Sequence, residues 1–418
     1  MKRFRIFTLV VMLLSLMVSS CKKQEEEVGT PDWYYDVLRI QSDMSSYSSM
    51  RFLYDPAPFE ELKQDILDGK VDRMEAIYRI KKIQSGYHVA HLGLNAKQEE
   101  KEDYLAAPFA FLRFGDGYHI STAAKKYSKY LGWKMTEING LPVKEALDKL
   151  AQYMSYETES GKNYLLEYPL YYYHLKFAGL LDHDKISFTL QSPDGTVVKK
   201  AFKLIDTRKT KFEILAPEAD NVWNYWRNHG NYSVKAVPEK RTVYIPFNKT
   251  QFEENYPLSQ LVSDMMDELH TNSYDTIVFD VRFNPGGNGY VIDEFRKLLK
   301  ENIDELLKYN IAVIITGRTY SAGCWFLNLC MELFPDVKIF GGETGESVFN
   351  YTNGFNYELT KLNCIFIFPI WEDNLEQIKT RSDNPYRGTM PDIEVQETFD
   401  DCINGEDSIY NAIYDYFN

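Results

Sequence analysis

Three short stretches of the chain carry residue types whose spacing suits covalent chemistry. The first is Thr316-Gly317-Arg318-Thr319-Tyr320-Ser321-Ala322-Gly323, in which a serine opens an apolar, helix-like run. A serine in that place commonly caps the helix. It also lies in the positive end of the helix dipole, beside the amide of Ala322, where negative charge is stabilised. The second is Asp280-Val281-Arg282-Phe283-Asn284-Pro285-Gly286-Gly287-Asn288-Gly289. Its Pro-Gly-Gly reads either as a plain strand-to-helix turn or as backbone whose unobstructed N–H groups face an oxyanion. The third is His88-Val89-Ala90-His91-Leu92-Gly93-Leu94, which supplies two imidazoles. A histidine of near-neutral pKa can take a hydroxyl proton and return it to a leaving amine. A hydroxyl, an imidazole and paired amides are the parts of acyl transfer through a nucleophile. Read instead as a metal pair, His88 and His91 find no third ligand at suitable spacing, so no metal and no cofactor is expected.

These parts need elements to hold them. From about residue 208, short apolar runs alternate with amphipathic segments. Strands are expected at 243–247, 276–283, 311–316 and 337–340, and helices at 257–270, 290–309 and 322–334. That alternation predicts βαβ units and an α/β core with a mainly parallel sheet. Both the Pro-Gly-Gly and the Ser321 motifs then fall at the C-terminal ends of adjacent strands, where open α/β sheets place ligands. A further strand pair, 357–359 and 365–370, is expected near the edge of that sheet.

Upstream, residues 32–100 read as helical. Met74, Ile77, Tyr78, Ile80 and Ile83 recur at helical spacing, Gly86 ends the helix, and 88–94 reads as extended. Residues 101–207 are β-rich. A strand runs into the Asn139-Gly140 turn, then a helix enters through Pro142, and Ser192-Pro193-Asp194-Gly195 joins two strands of a hairpin.

The chain has 418 residues, 44% of them hydrophobic and 15% aromatic, enough for a substantial core and two or three domains. A formal charge of −14 sets the surface against phosphate backbones, so nucleic acid is excluded as a partner. The first twenty residues stand apart. Lys2, Arg3 and Arg5 precede an apolar run too short to span a membrane, followed by Ser19-Ser20-Cys21. This is a secretory signal whose end, Leu16-Met17-Val18-Ser19-Ser20-Cys21, resembles a bacterial lipobox. The resemblance implies acylation of Cys21, a membrane anchor, and residence in the cell envelope as an outer-membrane lipoprotein. Residues 21–31 form a polar tether. Its Glu25-Glu26-Glu27 run reads as a solvated spacer or resembles the surface-export signal of Bacteroidetes lipoproteins. Cys324, Cys330, Cys364 and Cys402 show no CxxC spacing, and Cys324 and Cys330 would lie on nearly opposite helix faces.

Taken in order, Asp280–Gly287, Thr316–Gly323 and then Met390-Pro391-Asp392-Ile393-Glu394-Val395 resemble the S41 serine peptidases, the tail-specific and C-terminal processing proteases with their tricorn-type relatives. The resemblance is strongest over 240–418. It implies a ClpP/crotonase-like core over 208–418, and Ile138-Asn139-Gly140-Leu141-Pro142-Val143 resembles the family's PDZ-like module, over 101–207. On that resemblance Ser321 is the nucleophile, and the amides of Ala322 and of Gly287 or Gly286 form the oxyanion hole. The processing branch pairs its serine with a lysine, but a gapless alignment puts Glu346 there, so a Ser–Lys dyad is rejected. The tricorn-type branch draws a histidine from the N-terminal region, which matches His91, with His88 in reserve. Its carboxylate comes from the segment before the Pro-Asp motif, giving Asp383, with Glu376 as the other candidate. The resemblance thus implies a lipid-anchored serine endopeptidase acting on polypeptides. The competing reading is a catalytically inactive surface protein of the same fold that binds peptides or apolar ligands.

Overall fold

The computed structural model describes residues 30–46, 54–215, 230–348, 351–372 and 387–418. Cys21, Glu376 and Asp383 lie outside them.

Among the described residues three helices come first: α1 (Tyr34–Ser46), α2 (Ala57–Leu67) and α3 (Arg73–Ser85). Asp72 caps α3 by accepting from the Glu75 amide, and Gly86 follows its last turn. The chain then turns through 88–92 instead of running extended, and only Gly93–Ala96 is a strand, β1. Val37, Ile40, Phe59, Leu62, Ile77 and Ile80 pack into one core, and this core is completed from far along the sequence by Leu359, Leu362, Cys364, Phe366 and Phe368.

Residues between Phe109 and Ile214 build a seven-stranded sheet around β2 (Phe109–Phe114), β3 (Gly117–Ala124), β4 (Lys134–Ile138), β5 (Lys185–Gln191), β6 (Val197–Lys203) and β7 (Phe212–Ile214). Asn139 and Gly140 both adopt positive φ, 51° and 79°, the conformation a tight Asn-Gly turn requires. Helix α4 (Val143–Ala151) follows and buries Ala146, Leu147 and Leu150 against the sheet.

The last part is the expected α/β core. Its strands are β8 (Lys235–Val237), β9 (Thr242–Pro246), β10 (Thr276–Asp280), β11 (Asn310–Ile315), β12 (Lys338–Gly341) and, after a separate hairpin, β15 (Ile393–Glu394). They lie in that order across one sheet, parallel from β9 onward, with Tyr244 level with Val278 and Val278 level with Ala312. Every residue of β9 and β10 is buried, as a strand covered on both faces must be. Helix α5 (Leu258–Thr271) covers one face through Leu258, Leu261, Val262, Met265 and Leu269, spaced for a single apolar stripe. Helices α6 (Gly289–Glu301) and α7 (Ala322–Leu333) join it in the main core. The helix expected over 290–309 breaks at Asn302, whose side chain donates to the Leu298 carbonyl and ends the last turn of α6; a short helix, Ile303–Leu306, follows.

The expected edge pair does not join this sheet. Strands β13 (Tyr351–Leu359) and β14 (Cys364–Glu372) form a hairpin that pairs with β1 in a sheet of its own. The reason is alternation: Cys364, Phe366 and Phe368 present one apolar face, which the three N-terminal helices cover.

Candidate active site

Two turns leave the C-terminal edge of the main sheet side by side, and buried side chains bolt them together. After β10, Asn284 donates to the Phe247 carbonyl at 2.8 Å and accepts from the Gly286 amide at 2.8 Å. After β11, Thr316 Oγ1 donates to the Arg282 carbonyl and Thr319 Oγ1 to that of Val281, at 2.7 and 2.9 Å. The Tyr320 amide donates to the Asn284 carbonyl at 2.9 Å. Beneath them Arg282, 1% exposed, is met by Asp280, Glu397 and Asp407 at 2.8, 2.6 and 2.7 Å. A buried cation is tolerable only with such partners.

Ser321 stands on the second turn with φ 52° and ψ −125°, a conformation that strains any residue with a Cβ. Its side chain makes no capping bond to α7, so the common role of a serine at a helix start is not the one it plays. Gly286 explains how the elbow is accommodated. It has φ 98°, and a Cβ there would lie 2.5 Å from the Ser321 Cβ. Only glycine lets the two turns approach this closely.

His91 comes from the opposite wall. Leu92 is fully buried and Gly93 pairs with Ile367 of β14, which fixes the imidazole between them and the elbow. Its Nε2 lies 3.2 Å from Ser321 Oγ. Its Nδ1 lies 3.3 Å from Glu346 Oε1, a contact that becomes an ion pair when the imidazole is protonated and is not aligned as a hydrogen bond. Burial lowers the pKa of His91, favouring the neutral imidazole that can accept a proton. Glu346 is 1% exposed, and its other oxygen accepts from the Ser321 amide. Serine, histidine and carboxylate thus meet although the first two are 230 positions apart.

A second carboxylate ties the pieces together. Glu157 accepts from the Ala90 amide at 3.0 Å with one oxygen and from the Ser347 amide at 2.8 Å with the other. It therefore links the residue before His91 to the residue after Glu346. Neighbouring Thr158 and Ser160 bond the carbonyls of Thr344, Gly345 and Glu343, so residues 157–160 brace the loop that carries Glu346. His91, Glu157 and Glu346 bring donor atoms within 4.8 Å of one another. Both Glu157 oxygens already accept amides, so the cluster reads as a hydrogen-bonded brace.

The other expected residues divide. The Gly286 N–H is consumed by Asn284, which removes it as an oxyanion donor. The amides of Gly287 and Ala322 have no acceptor among the described residues. His88 is exposed, with φ 52° and its ring edge-on to Tyr156, away from Ser321. Asp383 and Glu376 lie outside the described residues, and the carboxylate found against His91 is Glu346. The sequence did carry a signal for it: an acid at the position where the processing-protease resemblance implies a lysine. Nothing in the sequence marked Glu157. Cys324, Cys330, Cys364 and Cys402 are free thiols.

Ser321 and His91 open into a cleft of about 740 Å³ that runs along Tyr153, Tyr164 and Tyr168 toward the β-rich module. That volume is in the range of pockets that enclose an organic ligand.

No family model matches the chain, and no curated protein matches it in sequence. Solved structures do match in shape. Mature CPAF complexed with lactacystin superposes over 92% of this chain and 97% of its own, with a TM-score of 0.59 at 12% identity. A CPAF mutant covers 92% and 96%, with a TM-score of 0.61 at 13% identity. The tricorn protease matches 36% of its own length at a TM-score of 0.39, too loose to carry weight. What the CPAF likeness establishes is architecture: the chain has an S41-like peptidase fold.

Proposed function

We propose that the chain is a serine endopeptidase that hydrolyses polypeptides through an acyl-enzyme on Ser321. One observation carries this reading: a strained serine, freed from capping, lies 3.2 Å from an imidazole backed by a buried carboxylate. As Ser321 Oγ attacks the scissile carbonyl, His91 Nε2 takes its proton. The resulting imidazolium gains from Glu346, and the oxyanion is received by the amides of Gly287 and Ala322. Collapse breaks the C–N bond, and His91 returns the proton to the leaving amine. Water then attacks the acyl carbonyl while His91 takes its proton; collapse breaks the bond to Ser321 Oγ, His91 returns the proton to that oxygen, and the acid leaves.

The reading includes an anchor. The lipobox-like end of the leader supports acylation of Cys21, which would hold the domain at the cell envelope, at an outer membrane. No helix among the described residues is long and apolar enough to cross a membrane. Replacing Cys21 by serine should release the protein from the membrane fraction; unchanged partitioning defeats the anchor and leaves the chemistry untouched.

The chemistry is tested with a serine-reactive phosphonate. Labelling of the wild type but not of Ser321→Ala, together with casein cleavage, is expected. Silence of the wild type, with casein intact, refutes hydrolysis and favours the inactive binding protein.

A further inference from the structure

Lys81 and Gln84 stand one turn apart on α3 and line the same cleft as Ser321 and His91. Neither is explained by the hydrolytic chemistry. Gln84 is 1% exposed, and its Nε2 is buried without an acceptor among the described residues. A buried donor in that state costs stability unless something supplies an acceptor. Lys81 meets no carboxylate within ion-pair distance among the described residues; its ammonium lies 5.7 Å from the centre of the Tyr78 ring.

The charge around the cleft sharpens the point. Glu167 also lines it, but Arg318 holds that carboxylate at 2.8 and 2.7 Å, so the pair cancels. His174, on the facing wall, is pushed down to about 3 by burial and by Lys81, so it stays neutral. Among the described residues, the cleft of a chain with a formal charge of −14 therefore keeps one unbalanced cation, beside one amide donor without an acceptor. A cation and an N–H donor on one side of a cleft fit a planar anion.

We propose that Lys81 and Gln84 form a subsite that reads a carboxylate of the bound polypeptide, either an acidic side chain or the C-terminal group. The proposal rests on the hydrolytic reading only for which ligand enters the cleft. Burial pushes Lys81 down to about 8, so the subsite loses its charge as pH rises through that value. The other titratable groups beside Lys81 are silent there. His174 is neutral, the Cys364 thiol is pushed up to about 12, and burial raises the Tyr78 and Tyr153 phenols.

The test measures binding to full-length Ser321→Ala by fluorescence anisotropy, so it reads the subsite whether or not the wild type hydrolyses. One peptide pair differs by Glu against Gln, a second by a free against an amidated C-terminus. In one of the pairs the acid should bind about 10-fold or more tightly at pH 7. Adding Lys81→Met should abolish that ratio, and raising the pH to 9.5 should shrink it without any substitution. Equal binding within both pairs at pH 7 overturns the proposal. So does a preference that survives both Lys81→Met and high pH.

Discussion

Removing the charge but not the shape of Glu346 tests the site where it is most specific. In Glu346→Gln an amide replaces the carboxylate that faces His91 Nδ1 at 3.3 Å. Two unit charges at that separation interact by about 5 kcal/mol at an effective dielectric near 20. His91 keeps about a fifth of its side chain in solvent, and the contact is not an aligned hydrogen bond. Screening should therefore leave roughly 1.5–3 kcal/mol, or about one to two pKa units. Burial already lowers the His91 pKa, so the wild-type acid limb of kcat/KM should lie below the ordinary imidazole value of 6.5. Because a carboxylate favours the imidazolium, its loss lowers the pKa further, and the limb should move to still lower pH. The plateau should fall by about 10- to 100-fold, since the imidazolium formed in the transition state loses the same support. The assay is a pH series of kcat/KM on a quenched fluorogenic peptide. A plateau within twofold of wild type and an unmoved limb would refute the role of Glu346. A limb displaced to higher pH would refute the electrostatic argument itself.

His91→Ala should lose turnover while His88→Ala keeps it, because only His91 reaches Ser321; the opposite pattern in the same peptide assay defeats the assignment. Gly286→Ala would set a methyl carbon 2.5 Å from the Ser321 Cβ, so activity should vanish and thermal unfolding should come earlier, by several degrees. Glu157→Gln can accept only one of the two amides that Glu157 holds, and its new N–H faces the other. Expected is a roughly 10-fold or greater fall in kcat with KM little changed, read in steady-state kinetics. On the acid side, His91 also contributes to stability: a depressed pKa favours folding above the ordinary imidazole value, and the gain is lost as pH falls through the folded value. In His91→Phe this part of the acid destabilisation should disappear from urea-midpoint measurements between pH 7 and 5.

How much of this was legible depended on periodicity and on distance along the chain. The parallel core could be read because its buried strands are uninterrupted apolar runs and its helices carry regular stripes, as in Thr276–Asp280 and Leu258–Thr271. The elbow was legible because Gly286, Gly287 and Ser321 have backbone reasons to be what they are. The placement of the 351–372 hairpin was not. Its alternating face shows that it covers something, but not which of two sheets it joins. Glu346 was harder to read, because the resemblance points to the segment before the Pro-Asp motif, while the acid that meets His91 sits one turn beyond β12. Glu157 had no local signature at all. It belongs to the β-rich stretch, and its role is visible only when residues 90 and 347 are neighbours.

The pairing of Gly93 with Ile367 has a consequence for how the molecule comes into being. Ribosomal synthesis delivers the imidazole early and the hydroxyl much later, and the strand that clamps the former arrives last of the three. On the proposed chemistry, a growing polypeptide would hold no assembled site until that strand has been made. The hairpin that completes it is also the one that closes the core of the first helices.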